Sequence, residues 1–155
     1  MPFKLSNRSL SKLQGVHPDI VNVVKRAIEV STVDFGVTCG LRTRAEQEAN
    51  VAAGRSQTMK SKHLPQLDGY SHAVDVVAYS GPEVVWELNV YDNICDAFAQ
   101  ACKELSVDMK WGAAWSEGSI RNYKGTAEDA MNAYIDLRRS ESRRPFIDAP
   151  HFEKM

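Results

Sequence analysis

Histidines are scarce in this chain, and their neighbours point to metal chemistry. The 155 residues include four of them, His17, His63, His72 and His151. Catalytic zinc is held by three protein ligands, which can be two imidazole nitrogens and a carboxylate, and a fourth position stays open for water. Asp75 is the best candidate carboxylate. It interrupts an apolar run, where a charge is costly unless it is paired or binds a metal.

Two histidines precede Asp75, and strand geometry separates them. Residues 73–79 are predicted to form a β-strand, in which successive side chains alternate between faces. His72 is three positions from Asp75 and should point to the other face, so His63 is the preferred upstream ligand and His72 the alternative. The competing interpretation of Asp75 is a strand-end residue that pairs with an arginine.

The third candidate ligand lies near the end of the sequence. His151 follows Asp148 by three residues, and Pro150 restricts the backbone between them. This short spacer can place the Asp148 carboxylate beside a metal-bound water while His151 binds the metal. A carboxylate in that position can act as a general base. The alternative for His151 is an ordinary surface histidine.

One arginine is placed to hold a substrate. Arg42 stands directly before a capping box formed by Thr43 and Glu46, so it should lie at the start of a helix. Its planar guanidinium suits bidentate binding of a carboxylate. A surface salt bridge is the alternative. Arg44 is a weaker candidate because it falls inside the first helical turn.

The elements that must position these residues are mixed helices and strands, which predicts one α+β domain over residues 1–155. Helical spacing and caps predict helices over 18–29, from Thr43 to about Gly54, between Glu83 and Leu105, and over 126–138. Strands are predicted over 33–39, 73–79 and 107–111, with a loop over 55–71 and an extended segment over 146–153.

Composition narrows the class of protein. A net charge of −1 argues against a general nucleic-acid binder, and no stretch has the roughly 20 apolar residues of a membrane span. Residues 1–13 lack the apolar core of a signal peptide. Cys95 and Cys102 have the spacing of core residues on one helix face. A nucleophilic role for Cys39 is disfavoured because no histidine is close to it in the sequence.

Taken together, the motifs resemble the M15-type zinc peptidases. The matching segments are Ser61-Lys62-His63, Ala73-Val74-Asp75, Asp148-Ala149-Pro150-His151, and Gly40-Leu41-Arg42-Thr43 followed by Glu46-Gln47. Each motif alone is weak, but all of them occur in the family's order. The opening segment, residues 5–19, is most similar to the phage L-alanyl-D-glutamate endopeptidase (endolysin) branch.

The resemblance implies a small antiparallel sheet with flanking helices, the M15/hedgehog-like zinc peptidase fold. It also implies Zn2+ bound by His63, Asp75 and His151, with Asp148 as the catalytic base and Arg42 on the substrate. The implied reaction is hydrolysis of the L-alanyl-D-glutamate bond in the peptidoglycan stem peptide. Two alternatives remain open: a D-alanyl-D-alanine carboxypeptidase with the same metal site, and a non-catalytic wall-binding module stabilised by metal.

The same resemblance sets expectations for partners and location. Bacterial peptidoglycan is the expected partner, and nucleic acid is not expected to be one. We expect a monomer that stays in the host cytoplasm until a holin-type membrane protein opens the inner membrane. It would then reach the cell wall or periplasm.

The chain departs from the family pattern in two places. His63 and Asp75 are 12 positions apart, which is longer than the family spacing and predicts an enlarged loop over 64–71 beside the metal. The family's Gly-Gly-Asp-Trp motif is replaced by the segment 111–115, Trp-Gly-Ala-Ala-Trp, so an acidic substrate contact is expected to be absent. Trp111 and Trp115 should either line the cleft or pack in the core.

Overall fold

The computed structural model describes residues 2–56 and 58–155. Its helices and strands are interspersed along the chain. In order they are α1 (Asn7–Lys12), α2 (Pro18–Val30), β1 (Asp34–Cys39), α3 (Arg44–Ala52), β2 (Ala73–Ser80), β3 (Glu83–Val85), α4 (Leu88–Leu105), β4 (Met109–Trp111), α5 (Ala127–Ser140) and β5 (His151–Lys154).

The strands form an antiparallel sheet with the order β1-β2-β5-β4, and β3 also pairs with β2. β2 is the central strand, because it pairs with β1 along one edge and with β5 and β3 along the other. Its register places Asp75 opposite Cys39 on β1 and opposite His151 on β5. Residues far apart in the sequence therefore meet on one short stretch of sheet.

Alternation along β2 separates the core from the candidate site. Val74, Val76 and Ala78 are fully buried in the hydrophobic core, whereas Asp75 between them is only partly buried. The core is completed by α2 and α4, which pack against each other. The buried residues of α2 are those of its apolar stripe: Ile20, Val23, Val24, Ala27 and Ile28.

The sequence prediction of a helix from Glu83 onward was wrong at its start. Glu83–Val85 is a strand that pairs with β2 through a tight turn at Gly81 and Pro82, and the helix begins only at Leu88. Two adjacent β-branched valines favour the strand. The short helix α1 was not predicted. It begins where the Ser6 hydroxyl accepts a hydrogen bond from the Ser9 amide.

The predicted fold class is confirmed: the chain combines helices with a small antiparallel sheet. The predicted core role of Cys95 and Cys102 is also confirmed, since both are fully buried. Among the described residues, no helix is long and apolar enough to cross a bilayer.

Phe152, the residue after His151, packs between the sheet and the helices. Its ring is fully buried, stacks on Phe98 at a centroid distance of 4.0 Å, and lies opposite Val74 on β2. We predict that Phe152→Ala lowers the free energy of unfolding by about 3–5 kcal/mol, because it leaves a cavity in a packed core. Urea denaturation measures the change. Leu137→Ala, at a position 44% exposed, is the control and should change stability by less than about 1 kcal/mol. Equal losses for the two variants would contradict this packing.

Candidate active site

Three of the predicted site residues meet in the structure, because both histidines lie close to one oxygen of Asp75. The Oδ1 atom of Asp75 lies 3.2 Å from Nε2 of His63 and 3.0 Å from Nδ1 of His151. The two imidazole rings are 5.2 Å apart between centroids and meet edge to face at an interplanar angle of 66°. The three side chains come from the loop before β2, from β2 and from β5. Their assignment as metal ligands remains a prediction, but the structure brings them together as that prediction requires.

Local backbone contacts hold these side chains. Asp75 and His151 are directly paired across β2 and β5. The loop residue His63 is fixed at both backbone groups. Its N–H donates to the Ser61 hydroxyl at 3.1 Å, and its carbonyl accepts from the Arg42 N–H at 2.9 Å. His151 is buried, so the surface alternative for it is wrong.

The outer nitrogen of each imidazole already has an acceptor. Nδ1 of His63 lies 2.8 Å from the Gly40 carbonyl oxygen, and Nε2 of His151 lies 2.9 Å from Oε1 of Glu153. With a proton held on each outer nitrogen, the inner nitrogens can present lone pairs toward Asp75. Outer acceptors of this kind orient histidine ligands in metal sites. Two imidazole nitrogens and one carboxylate oxygen fit a divalent ion of the zinc type.

Glu153 was not among the site residues predicted from the sequence. A signal for it exists: residues two apart in a strand share a face, so position 153 lies on the same side of β5 as His151.

Hydrogen bonding shifts the pKa values of all three groups. Burial by itself would lower the pKa of His63, but hydrogen bonds with Asp75 and Cys39 raise it to about 10. Burial likewise opposes the charge on His151, while hydrogen bonds with Asp75 and Glu153 raise its pKa to about 9. For Asp75 burial favours the neutral acid, yet bonds from both histidines hold its pKa well below the usual range. Without metal, two imidazolium groups therefore flank one carboxylate.

Cys39 lies behind His63 rather than in front of it. Its Sγ atom is 3.6 Å from Nδ1 of His63 and 3.3 Å from a guanidinium nitrogen of Arg42. Ligand atoms of Cys39, His63 and Asp75 lie within 4.8 Å of one another, so they form a second potential donor set. However, Sγ faces the outer nitrogen of His63 and Asp75 faces the inner one. One ion binds only one of these nitrogens, which favours His151 as the third ligand.

No histidine is close to Cys39 in the sequence, but the fold brings His63 into contact with its thiol. Burial raises the pKa of this thiol, but the hydrogen bond with His63 and the charges of His63 and Arg42 together outweigh burial and lower the pKa overall.

The alternative upstream ligand, His72, does not join this group. Its Nε2 atom lies 2.8 Å from Oδ2 of Asp68, and its ring contacts that of His17 at a centroid distance of 5.3 Å. The predicted difference in face between His72 and Asp75 agrees with this arrangement.

The predicted substrate arginine lies beside the site. One guanidinium nitrogen of Arg42 donates to Oε1 of Gln47 at 2.7 Å, and another is 4.0 Å from Oδ2 of Asp75. The alternative prediction for Asp75 was a salt bridge with an arginine. It applies only to Oδ2, whose distance from Arg42 is at the upper limit for an ion pair. Arg44 is exposed and pairs with Glu48 on the same helix.

Asp148 lines the same cleft and is held by the backbone of Gly112. The Asp148 N–H donates to the Gly112 carbonyl, and the Gly112 N–H donates to the His151 carbonyl, both at 2.8 Å. Burial and the nearby charge of Asp75 raise the pKa of Asp148. A carboxylate with a raised pKa beside a metal site suits proton transfer.

The cleft has a volume of about 790 Å³ and two kinds of wall. Trp115 and Phe146 stack at 6.3 Å to form an aromatic wall, whereas Arg55, Lys60 and Lys62 make another part of the lining basic.

The two tryptophans of segment 111–115 have different roles: one packs in the core and the other lines the cleft. Trp111 is fully buried and donates from Nε1 to the Ala149 carbonyl, so it belongs to the core. Trp115 lines the cleft, with its ring 5.7 Å from that of His151.

Comparison with known proteins identifies the family. The model of the phage L-alanyl-D-glutamate peptidase family matches residues 1–155, and the chain belongs to this family. The L-alanyl-D-glutamate peptidase of Escherichia phage T5 is 34% identical over 120 residues, covering 75% of this chain and 84% of that protein. The enzyme of the same name from Listeria phage A118 is 33% identical over 114 residues, covering 70% of this chain and 37% of that longer protein.

A solved structure agrees. The crystal structure of the Serratia marcescens L-Ala-D-Glu endopeptidase ChiX matches with a TM-score of 0.70 and 34% identity. The match covers 99% of this chain and 91% of that chain.

Gly112 cannot carry a side chain without disturbing the site. A Cβ atom there would overlap the carbonyl oxygen of Asp148 and lie 3.1 Å from Cβ of His151. We predict that Gly112→Ala displaces both residues and weakens the binding of a divalent metal ion by about tenfold or more, in the range seen when ligand support is lost. Competition with a chelator measures the affinity, and circular dichroism checks the fold. Ser116→Ala, an exposed change nearby, should leave the affinity unchanged. Wild-type affinity in Gly112→Ala would contradict the prediction.

Metal binding should release protons. In the metal-free chain, a proton lies between each histidine and Asp75, and the pKa values of about 10 and 9 keep both protons in place near neutral pH. A divalent ion must displace them, so the affinity for the ion should rise as pH rises toward about 9 and fall in acid. Calorimetry in buffers of different ionisation enthalpy should detect about two protons released near pH 7. An affinity that does not change between about pH 6 and 9 would contradict this arrangement.

Proposed function

We propose that this chain is a zinc-dependent peptidoglycan peptidase that hydrolyses the L-alanyl-D-glutamate bond of the stem peptide. The observation that carries the proposal is the convergence of His63 and His151 on one oxygen of Asp75 in the wall of an open cleft. Membership in a family named for this activity supports the choice of bond.

His63, Asp75 and His151 would hold the ion, through Nε2, Oδ1 and Nδ1 in that order. The outer acceptors at Gly40 and Glu153 preset the ring orientations that this needs. When bound, zinc supplies a Lewis acid for the scissile carbonyl and lowers the pKa of a water toward about 7.

Two residues of the chain act on the substrate and on protons. Asp148 accepts the proton of the attacking water and delivers it to the amine that leaves, as its raised pKa and its place in the cleft support. Arg42 binds negative charge on the substrate. Its hydrogen bond to Gln47 fixes the guanidinium, so little side-chain entropy is lost on binding.

The cleft suits an anionic peptide. Glutamate in the stem peptide keeps a carboxylate that is charged at neutral pH. Arg55, Lys60 and Lys62 line the cleft, and within the described part of the chain none of them forms a salt bridge. Their charge can therefore attract that carboxylate. Trp115 and Phe146 offer an apolar surface to the rest of the peptide.

For delivery, we propose retention in the host cytoplasm until a holin-type membrane protein opens the inner membrane. The proposal starts from the phage origin of the family and of the phage T5 relative. The proposal is tested by expressing the chain in bacteria with and without such a partner. Lysis should require both proteins, and lysis by the chain alone would contradict the proposal.

Replacement of Asp148 tests the chemistry. We predict that Asp148→Asn lowers kcat by about 10²–10⁴-fold, because the general base is lost. Bound zinc should remain, since the three ligands are untouched. Asp136→Asn, at an exposed position on α5, is the control and should keep wild-type activity.

The products of peptidoglycan digestion identify the bond. Mass spectrometry should show a new N-terminal glutamate from the wild-type enzyme. Release of free D-alanine instead would indicate a D-alanyl-D-alanine carboxypeptidase. Zinc binding without hydrolysis at any pH would indicate a binding module.

A further inference from the structure

A second cluster of two histidines and one aspartate lies outside the cleft lining. Asp68 Oδ2 is 2.8 Å from Nε2 of His72 and 3.8 Å from Nε2 of His17. The two imidazole rings meet edge to face at 5.3 Å between centroids. One ligand atom from each of the three residues lies within 4.8 Å of the others. The chemical composition of the candidate active site is thus repeated at another place.

The backbone fixes the positions of all three residues. His17 is the N-cap of α2, and its N–H donates to the Ser71 carbonyl at 2.9 Å. His72 follows that serine directly, at the start of β2. Asp68 is held by its other oxygen, Oδ1, which accepts the Tyr70 N–H at 3.0 Å. This bond leaves Oδ2 directed at the two histidines.

We propose that His17, Asp68 and His72 bind a second divalent ion of the zinc type. Two imidazole nitrogens and one carboxylate oxygen form a zinc donor set, with bonds of about 2.0–2.1 Å. In a tetrahedral site such bonds place the ligand atoms about 3.3–3.4 Å apart. The observed separations of 2.8 and 3.8 Å lie on both sides of this value. The ligand atoms of the two histidines lie within 4.8 Å of each other, so side-chain adjustments of about an ångström or less per residue would seat the ion.

Two hydrogen bonds must change when the ion binds. The proton between Nε2 of His72 and Oδ2 of Asp68 must leave and passes to Nδ1 of the same ring or to solvent, because both atoms become ligands. Nδ1 of His17 accepts the Asp19 N–H at 3.0 Å, which places the ring proton on Nε2. Binding through Nε2 moves that proton to Nδ1, where Oδ2 of Asp19, 3.8 Å away, can accept it. A carboxylate behind a histidine ligand is a common outer partner in metal sites. The ion thus replaces one helix-capping bond and the hydrogen bond between His72 and Asp68 with three ligand bonds.

An ion at this place would hold the loop over residues 64–71 in position. Residues 64–71 begin directly after His63, and they carry Asp68. Bonds to His17 and His72 would join the loop to the first turn of α2 and to the start of β2. This second site does not depend on the proposed hydrolysis, because its three ligands do not line the cleft.

Zinc counting on the full chain tests the proposal. We expect about two zinc ions per wild-type chain at buffered free zinc, measured by elemental mass spectrometry. Asp68→Asn, which keeps an acceptor for the Tyr70 N–H, should bind one fewer. His17→Asn should also bind one fewer, although asparagine remains a good N-cap. Asp136→Asn should match the wild type. Circular dichroism confirms folding of each variant.

The result for Asp68→Asn decides the proposal. A wild-type zinc count in Asp68→Asn overturns the second site, and so does a wild-type chain that binds a single ion and loses it in Asp75→Asn. Asp75→Asn reports on the other centre separately. If it keeps the wild-type count while Asp68→Asn loses one ion, the catalytic zinc assignment fails and the second site stands. If Asp75→Asn loses one ion and Asp68→Asn loses none, the reverse holds.

Discussion

The candidate active site depends on the antiparallel pairing of β2 with β5. Asp75 and His151 are 76 positions apart in the sequence, and the pairing makes them direct neighbours. Paired residues project from the same face of a sheet, so both reach the cleft. A slip of one residue would turn His151 to the opposite face. Phe152 opposes such a slip, because its buried ring belongs in the core.

The negative charge of Asp75 must be compensated in the fold, and the groups that compensate it are those of the candidate metal site. A carboxylate in this environment is costly unless cations or a metal compensate it. In the metal-free chain the two imidazolium groups compensate it, and in the metal-bound chain the ion would. Gly40 and Glu153 accept the outer ring protons in the metal-free chain and would do the same with an ion bound. The ring orientations needed for metal binding therefore exist before the ion arrives, which reduces the cost of assembling the site.

The loop between His63 and His72 separates two clusters of the same composition. His63 precedes this loop and faces Asp75, whereas His72 follows it and faces Asp68 and His17. The alternation of side chains at the start of β2 keeps His72 away from Asp75. All four histidines of the sequence therefore lie in one of two His-His-Asp groups.

Local sequence signals determined most of the helices, the central strand and the identity of the candidate ligands. The capping box at Thr43 depends on neighbouring residues only, and the conflict of Asp75 with its apolar neighbours is visible in the sequence. The tertiary structure alone decided the contact of Cys39 with His63 and the backbone hydrogen bond between Asp148 and Gly112. It also decided the partners of His72 and the strand at Glu83–Val85. These features arise from the register between strands and loops distant in the chain, and no short-range preference encodes that register.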